Sequence, residues 1–238
     1  MQVVTLDAAR YLVTASVNSH GLGINREDTA ILFPYFLGRL KTRALLARIL
    51  SVGAELSIFG ITVFSESDEN TEEVLRGVRD EASTVLPGEL SLLVNDVCRE
   101  KSPSTVIVMT ASGVVFKDRI KISSTRPGDH VYLVGTPRSI EEISDLDGPD
   151  LCRLRSVREL AASALVHEVR VVDGQSLREI LGNLQDLTQT PCRLLPAEEG
   201  FLDREGVGAS GVVFSSRVPV RSRTLDGIPI REIGRMGS

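Results

Sequence analysis

The chain lacks what a dedicated nucleic-acid binder needs. Its formal charge is −5 and aromatic residues make up only 4% of its 238 positions, whereas such proteins present a net basic face and rings on which bases stack. Cysteine is scarce as well. Cys98, Cys152 and Cys192 are odd in number and widely spaced, which excludes a disulfide framework or a zinc site and leaves small buried hydrophobes. No apolar run reaches the roughly 18 residues that span a membrane. The opening MQVVTLDAAR has no basic-then-apolar targeting pattern, so the expectation is a soluble cytoplasmic protein without a membrane partner. A nucleophile-elbow serine, a Walker phosphate loop and HExxH are all missing, which sets aside the common hydrolase and nucleotide motifs. There is no low-complexity segment.

What is present is an alternation of strand-like and helix-like runs. In residues 11–17, Tyr11, Val13, Ala15 and Val17 share one face of a strand. A loop over 18–25 follows, whose Gly21 and Gly23 suit either a close backbone approach or an ordinary turn. Residues 38–55, GRLKTRALLARILSVGAE, place Leu46, Ile49, Leu50 and Gly53 at the spacing of one helical face, widened by Leu45 and Val52. Gly53 suits the left-handed residue that closes a helix, and the strand 56–64 follows. Arg39, Lys41, Arg43 and Arg48 make this helix cationic, with no acid before Glu55. Asn70 with Glu73 reads as the cap of a second helix carrying Val74, Leu75, Val78, Ala82 and Val85, ended by Pro87-Gly88. Strands over 90–94 and 105–115 complete a β-α-β-α-β-β half, with both helices on one face of the sheet.

A second unit begins near the type II turn Arg126-Pro-Gly-Asp129 and the apolar run 131–134. Ser156 with Glu159 reads as a capping box for a helix to about Val166, followed by a strand over 167–172 and a turn at Asp173-Gly174. Ser176 with Glu179 caps another helix, with Leu177, Ile180, Leu181, Leu184 and Leu187 on its apolar face, and a strand over 192–195 returns. A polar loop with a short helix (197–210), a strand (211–215), and a turn at Asp226-Gly227 leading to a final edge strand close the chain. The expected class is α/β in two domains, residues 1–125 and 126–238.

One constellation carries chemistry. Of the histidines His20, His130 and His167, only His20 sits in a glycine-bearing loop. Gly21, Gly23 and Asp28, followed by Arg39, Lys41 and Arg43, form a set that suits a phosphorylated ligand. Amide groups and guanidinium forks match phosphate oxygens, and Asp28 is a candidate metal ligand. The alternative is a solvated basic helix.

At these residues the chain resembles the ATP-dependent family of aminoimidazole ribonucleotide synthetase, thiamine monophosphate kinase and selenophosphate synthetase, most nearly its α-ribazole kinase-like branch. The resemblance rests on the order of segments: a strand, a loop of the form S-x-GxG leading to Asp28, a helix ending in "VGAE", a strand, then "TEEVLRGVRDE". Further on come "RPGDHVYLVGTPR", "VHEVRVVDGQSLREILGNLQDLTQTPCRLLP" and "GIPIREIGRM". It implies two α/β domains, a homodimer in which N-terminal sheets pair, ATP in a cleft lined by His20, Gly21, Gly23, Asp28, Arg39, Lys41, Arg43 and Arg48, and Mg2+ on Asp28. The implied activity is phosphoryl transfer to a small-molecule substrate such as a riboside. The chain departs from the family pattern in carrying Asn18 and Arg48 where acids are expected, and "VNDVCREKSPST" replaces a kinase loop, with Asp96 and Glu100 as its acids. These departures imply the alternative of a catalytically degenerate dimer that binds a nucleotide or a protein.

Overall fold

In the computed structural model, which describes residues 1–88, 90–95, 101–195 and 200–237, the chain is of the mixed α/β class expected from its sequence. Cys98, Asp96 and Glu100 lie outside the described residues. Backbone proximity divides the chain into two units, Met1–Ile49 with Ala54–Lys117, and Asp118–Ser238 with Leu50–Gly53. The sequence reading placed the boundary after Thr125. Among the described residues no helix is long and apolar enough to cross a membrane.

The first unit contains β1 (Gln2–Thr5), β2 (Arg10–His20), the short strands β3 (Leu22–Gly23) and β4 (Ala30–Ile31), α1 (Pro34–Ser51), β5 (Glu55–Phe64), α2 (Asp68–Ser83), β6 (Leu92–Asn95) and β7 (Val106–Phe116). Five strands form one sheet in the order β1-β2-β7-β5-β6, with β6 parallel to β5 and the other pairs antiparallel. Strand alternation assigns the faces. Val13, Ala15 and Val17 of β2, Ile107, Met109 and Ala111 of β7, and Phe59, Ile61 and Val63 of β5 are buried together with the apolar side of α1 (Leu37, Leu40, Leu45, Leu46, Ile49) and with Val74, Leu75 and Val78 of α2. The opposite face carries Val4, Ile58, Leu93, Val108 and Phe116, all exposed. β1 has no counterpart in the sequence reading.

Local chemistry sets the helix ends. Pro34 opens α1, where its missing N–H has no intrahelical role. Gly53 closes the helix with φ +79, in the left-handed conformation expected of it. α2 starts earlier than the Asn70 cap expected from sequence: Ser67 is the N-cap, and its Oγ accepts a hydrogen bond from the Asn70 amide at 3.1 Å. The two helices touch through glycine. A Cβ on Gly38 would lie 2.2 Å from the Val74 carbonyl oxygen, and one on Gly77 would lie 2.1 Å from that of Tyr35.

In the second unit, β8 (His130–Gly135), α3 (Leu154–Ala162), β9 (Val166–Val172), α4 (Leu177–Thr188), β10 (Cys192–Leu194), β11 (Gly211–Ser216), β12 (Thr224–Leu225) and β13 (Ile228–Met236) follow in order. The sheet runs β10-β13-β8-β11-β9, every pair antiparallel. β8 and β11 are buried almost throughout. Val131, Leu133, Val213 and Ile233 pack with Leu177, Ile180, Leu181 and Leu184 of α4 in one cluster, and the Ser176/Glu179 capping box forms as expected. Two expectations are corrected. Ser156 does not open its helix: α3 begins at Leu154, and the Ser156 hydroxyl is buried inside it without a partner. The last strand is not an edge, because β13 hydrogen-bonds β10 on one side and β8 on the other.

Candidate functional site

The glycine loop leaves β2 at His20, which is exposed, as is Asn18. Gly21 takes φ +71, and its amide donates to the Thr105 carbonyl at 2.9 Å. Beyond it Asp28 clamps the loop. Its Oδ1 accepts from the Thr105 amide at 2.7 Å and from the Ser104 hydroxyl at 3.2 Å; its Oδ2 accepts from the Thr105 hydroxyl at 2.7 Å and from the Asn25 amide at 2.8 Å. Gly23 makes room for this clamp, since a Cβ there would lie 2.2 Å from Thr105 Oγ1 and 2.5 Å from Asp28 Oδ2. The close approach that the glycines permit is therefore made by the chain itself. Burial of Asp28 raises its pKa, but the four hydrogen bonds outweigh it and hold the carboxyl below the ordinary range. Asn25, which is buried where Asp28 is only half-buried, accepts from Ser65 Oγ and Asn70 Nδ2, each at 3.2 Å, and so ties the loop to the start of α2.

The cationic helix meets an acid that its own sequence does not contain. Glu81 of α2 is fully buried. Its Oε2 accepts from Arg39 Nε at 2.9 Å, and Arg39 Nη2 lies 2.8 Å from the same oxygen, while Oε1 accepts from Arg43 Nε at 2.6 Å. Glu81 thus takes Nε and Nη2 of Arg39 and Nε of Arg43. Arg48 Nη1 donates to the Ser16 carbonyl of β2 at 3.0 Å, and Lys41 is half-buried. Glu81 was readable in the sequence: it lies three residues after Val78 and seven after Val74, inside the apolar stripe of α2, where an acid needs a buried basic partner.

The structure thus joins His20, Gly21, Gly23 and Asp28 in one loop and turns Arg39 and Arg43 toward α2. Among the described residues no group of three or more His, Cys, Asp or Glu side chains is placed to hold a metal ion. Mg2+ does not fit at Asp28 as it stands, because each carboxylate oxygen already accepts two hydrogen bonds.

No family model and no curated protein matches the chain. Solved structures do. Thiamine-monophosphate kinase from Stenotrophomonas maltophilia K279a aligns over 97% of this chain and 84% of its own, at 14% identity and a TM-score of 0.67. T. maritima PurL complexed with ATP aligns over 99% of this chain at 12% identity and a TM-score of 0.68, and the chain spans 42% of that protein. The hydrogenase maturation protein HypE in complex with ATP aligns over 99% of this chain and 78% of its own, at 15% identity and a TM-score of 0.62. From end to end, the chain therefore shares the fold of these kinase, PurL and HypE structures.

Proposed function

We propose that this protein is an ATP-dependent kinase or synthetase acting on a small molecule, with a riboside of the α-ribazole type as the acceptor. The observation that supports this reading is the extent of the fold match. It covers 97% of the chain or more against a kinase and against two proteins whose structures were solved with ATP. In this reading the Asp28 clamp holds the Gly21–Gly23 backbone in shape, and the Glu81 anchor holds α1 beside it. Both are means of positioning a site before its ligand arrives. The test is calorimetry with ATP, with and without Mg2+, followed by assay of phosphate transfer to α-ribazole and related ribosides. Saturable heat and product are expected. Absence of both heat and a thermal shift would overturn the reading.

A second reading is a catalytically degenerate dimer that binds a nucleotide or a protein. It is favoured by the saturated oxygens of Asp28, together with Asn18 and Arg48 where the resemblance expects acids. It predicts ATP binding with no turnover on any of these acceptors. In both readings a second copy of the chain covers the exposed face of the first sheet.

A further inference from the structure

The second unit carries two guanidinium groups on one phenyl ring. Phe201 packs against the α4 cluster, which fixes its ring. Arg231, on β13, places its Cζ 4.5 Å from the ring centroid, and Arg204 places its own at 5.2 Å. Both distances lie inside the range of cation–π attraction, and the two cations are no farther apart than those distances together. Arg204 is exposed and Arg231 is half-buried. Arg231 Nη2 makes long hydrogen bonds to the Gly135 carbonyl at 3.4 Å and to Thr136 Oγ1 at 3.2 Å. Its Nε is buried and has no partner.

Two neighbouring acids are committed elsewhere. Asp203 takes Arg178 at 2.7 Å, and Asp150 takes Arg138 at 2.6 Å. Among the described residues no carboxylate pairs with Arg204 or Arg231. Two guanidinium groups on one ring, neither paired with a carboxylate, leave charged N–H donors for an anion to accept from.

We propose that Arg231, Arg204 and Thr136 form a binding site for the phosphate group of a small molecule. Two separate guanidiniums and a hydroxyl call for more acceptor oxygens than a single carboxylate offers, and arginine forks match phosphate geometry. Phe201 holds both cations in place before the ligand arrives. The site stands on its own residues and does not depend on the ATP reading.

The test is titration of the full-length protein with inorganic phosphate at low and physiological salt, with acetate at matched ionic strength as the comparison. Saturable phosphate binding that weakens as salt rises is expected, with little response to acetate. Arg231→Ala should abolish it, and Arg204→Ala should weaken it by about tenfold, the worth of one charge-assisted hydrogen bond. Equal responses to phosphate and acetate, no saturable binding, or parent-like binding in both variants would overturn the proposal. If Arg231→Ala does not fold, Arg204→Ala decides alone, because its side chain is exposed.

Discussion

Glu81 holds two arginines of the neighbouring helix from a fully buried position, so removing its charge takes an ion-pair partner from each. Glu81→Gln should lower the unfolding free energy by about 3 kcal/mol, the lower end of the usual cost of breaking a buried ion pair, read as a fall in the urea midpoint. Asp28 makes a different prediction, one that depends on pH. Its carboxyl titrates below the ordinary value, so the folded state favours the carboxylate. The stability it contributes is present above its unfolded pKa and is lost as the pH falls through the lower folded value. Asp28→Asn should therefore be less stable than the parent near pH 6, by roughly 1–3 kcal/mol, and the difference should shrink as the pH falls through the lowered folded pKa and the parent carboxyl takes up its proton. Parallel stability curves across that range would show that the clamp does not depend on charge. At this scale the sequence was half legible. Glu81 was missed in the sequence, although its place in an apolar stripe is a signal that could have found it. The Asp28 clamp left no such signal, because Thr105 lies far along the chain and no periodicity links the two residues.

At the scale of elements, glycine is used in two opposite ways. Gly77 is helical, and by propensity alone alanine would stabilise α2 by about 1 kcal/mol. A methyl there, however, would meet the Tyr35 carbonyl oxygen at 2.1 Å. Backbone cannot step aside as a side-chain tip can, so Gly77→Ala should cost about 1–3 kcal/mol as α1 and α2 are forced apart. Gly182 in α4 has nothing within 4 Å of its Cβ position, and Gly182→Ala should raise stability by about 0.5–1 kcal/mol. Thermal melts of the two variants should shift in opposite directions. Shifts of the same sign would mean that the helix contact at Gly77 is not the close one described here. The elements were legible wherever one face repeats, as in α4 with its capping box. They were misread wherever a local pattern competed with burial. Ser156 and Glu159 have the spacing of a cap, yet Leu154, Val157 and Leu160 are all buried on α3, and their packing extends the helix past it. β13 looked like an edge because it comes last in sequence, a position that carries no information about which strands flank it.

For the molecule as a whole, the informative asymmetry lies in the first sheet. One face is covered by α1 and α2, while the other leaves Ile58 at 60%, Leu93 at 69% and Val108 at 42% exposure. The register puts these residues on one side: Ile58 stands opposite Ser112, Val108 opposite Thr62, and Leu93 beside Gly60. Sequence alternation revealed a two-faced sheet, but it could not say which face the helices would leave open, since Val108 and Ile58 are as apolar as their buried neighbours. An apolar sheet face of this kind is costly in water and suits a two-fold interface, in which the same patch meets its copy. Replacing Ile58 and Val108 with lysine would place two charges per chain, four per dimer, within that interface while leaving the helix-covered core untouched. The parent should therefore sediment as a dimer at micromolar concentration, and the Ile58→Lys, Val108→Lys double variant as a folded monomer with the parent's circular dichroism. A monomeric parent would leave this face to some other partner and would remove the dimer from both functional readings. A double variant that stays dimeric would place the interface on another surface.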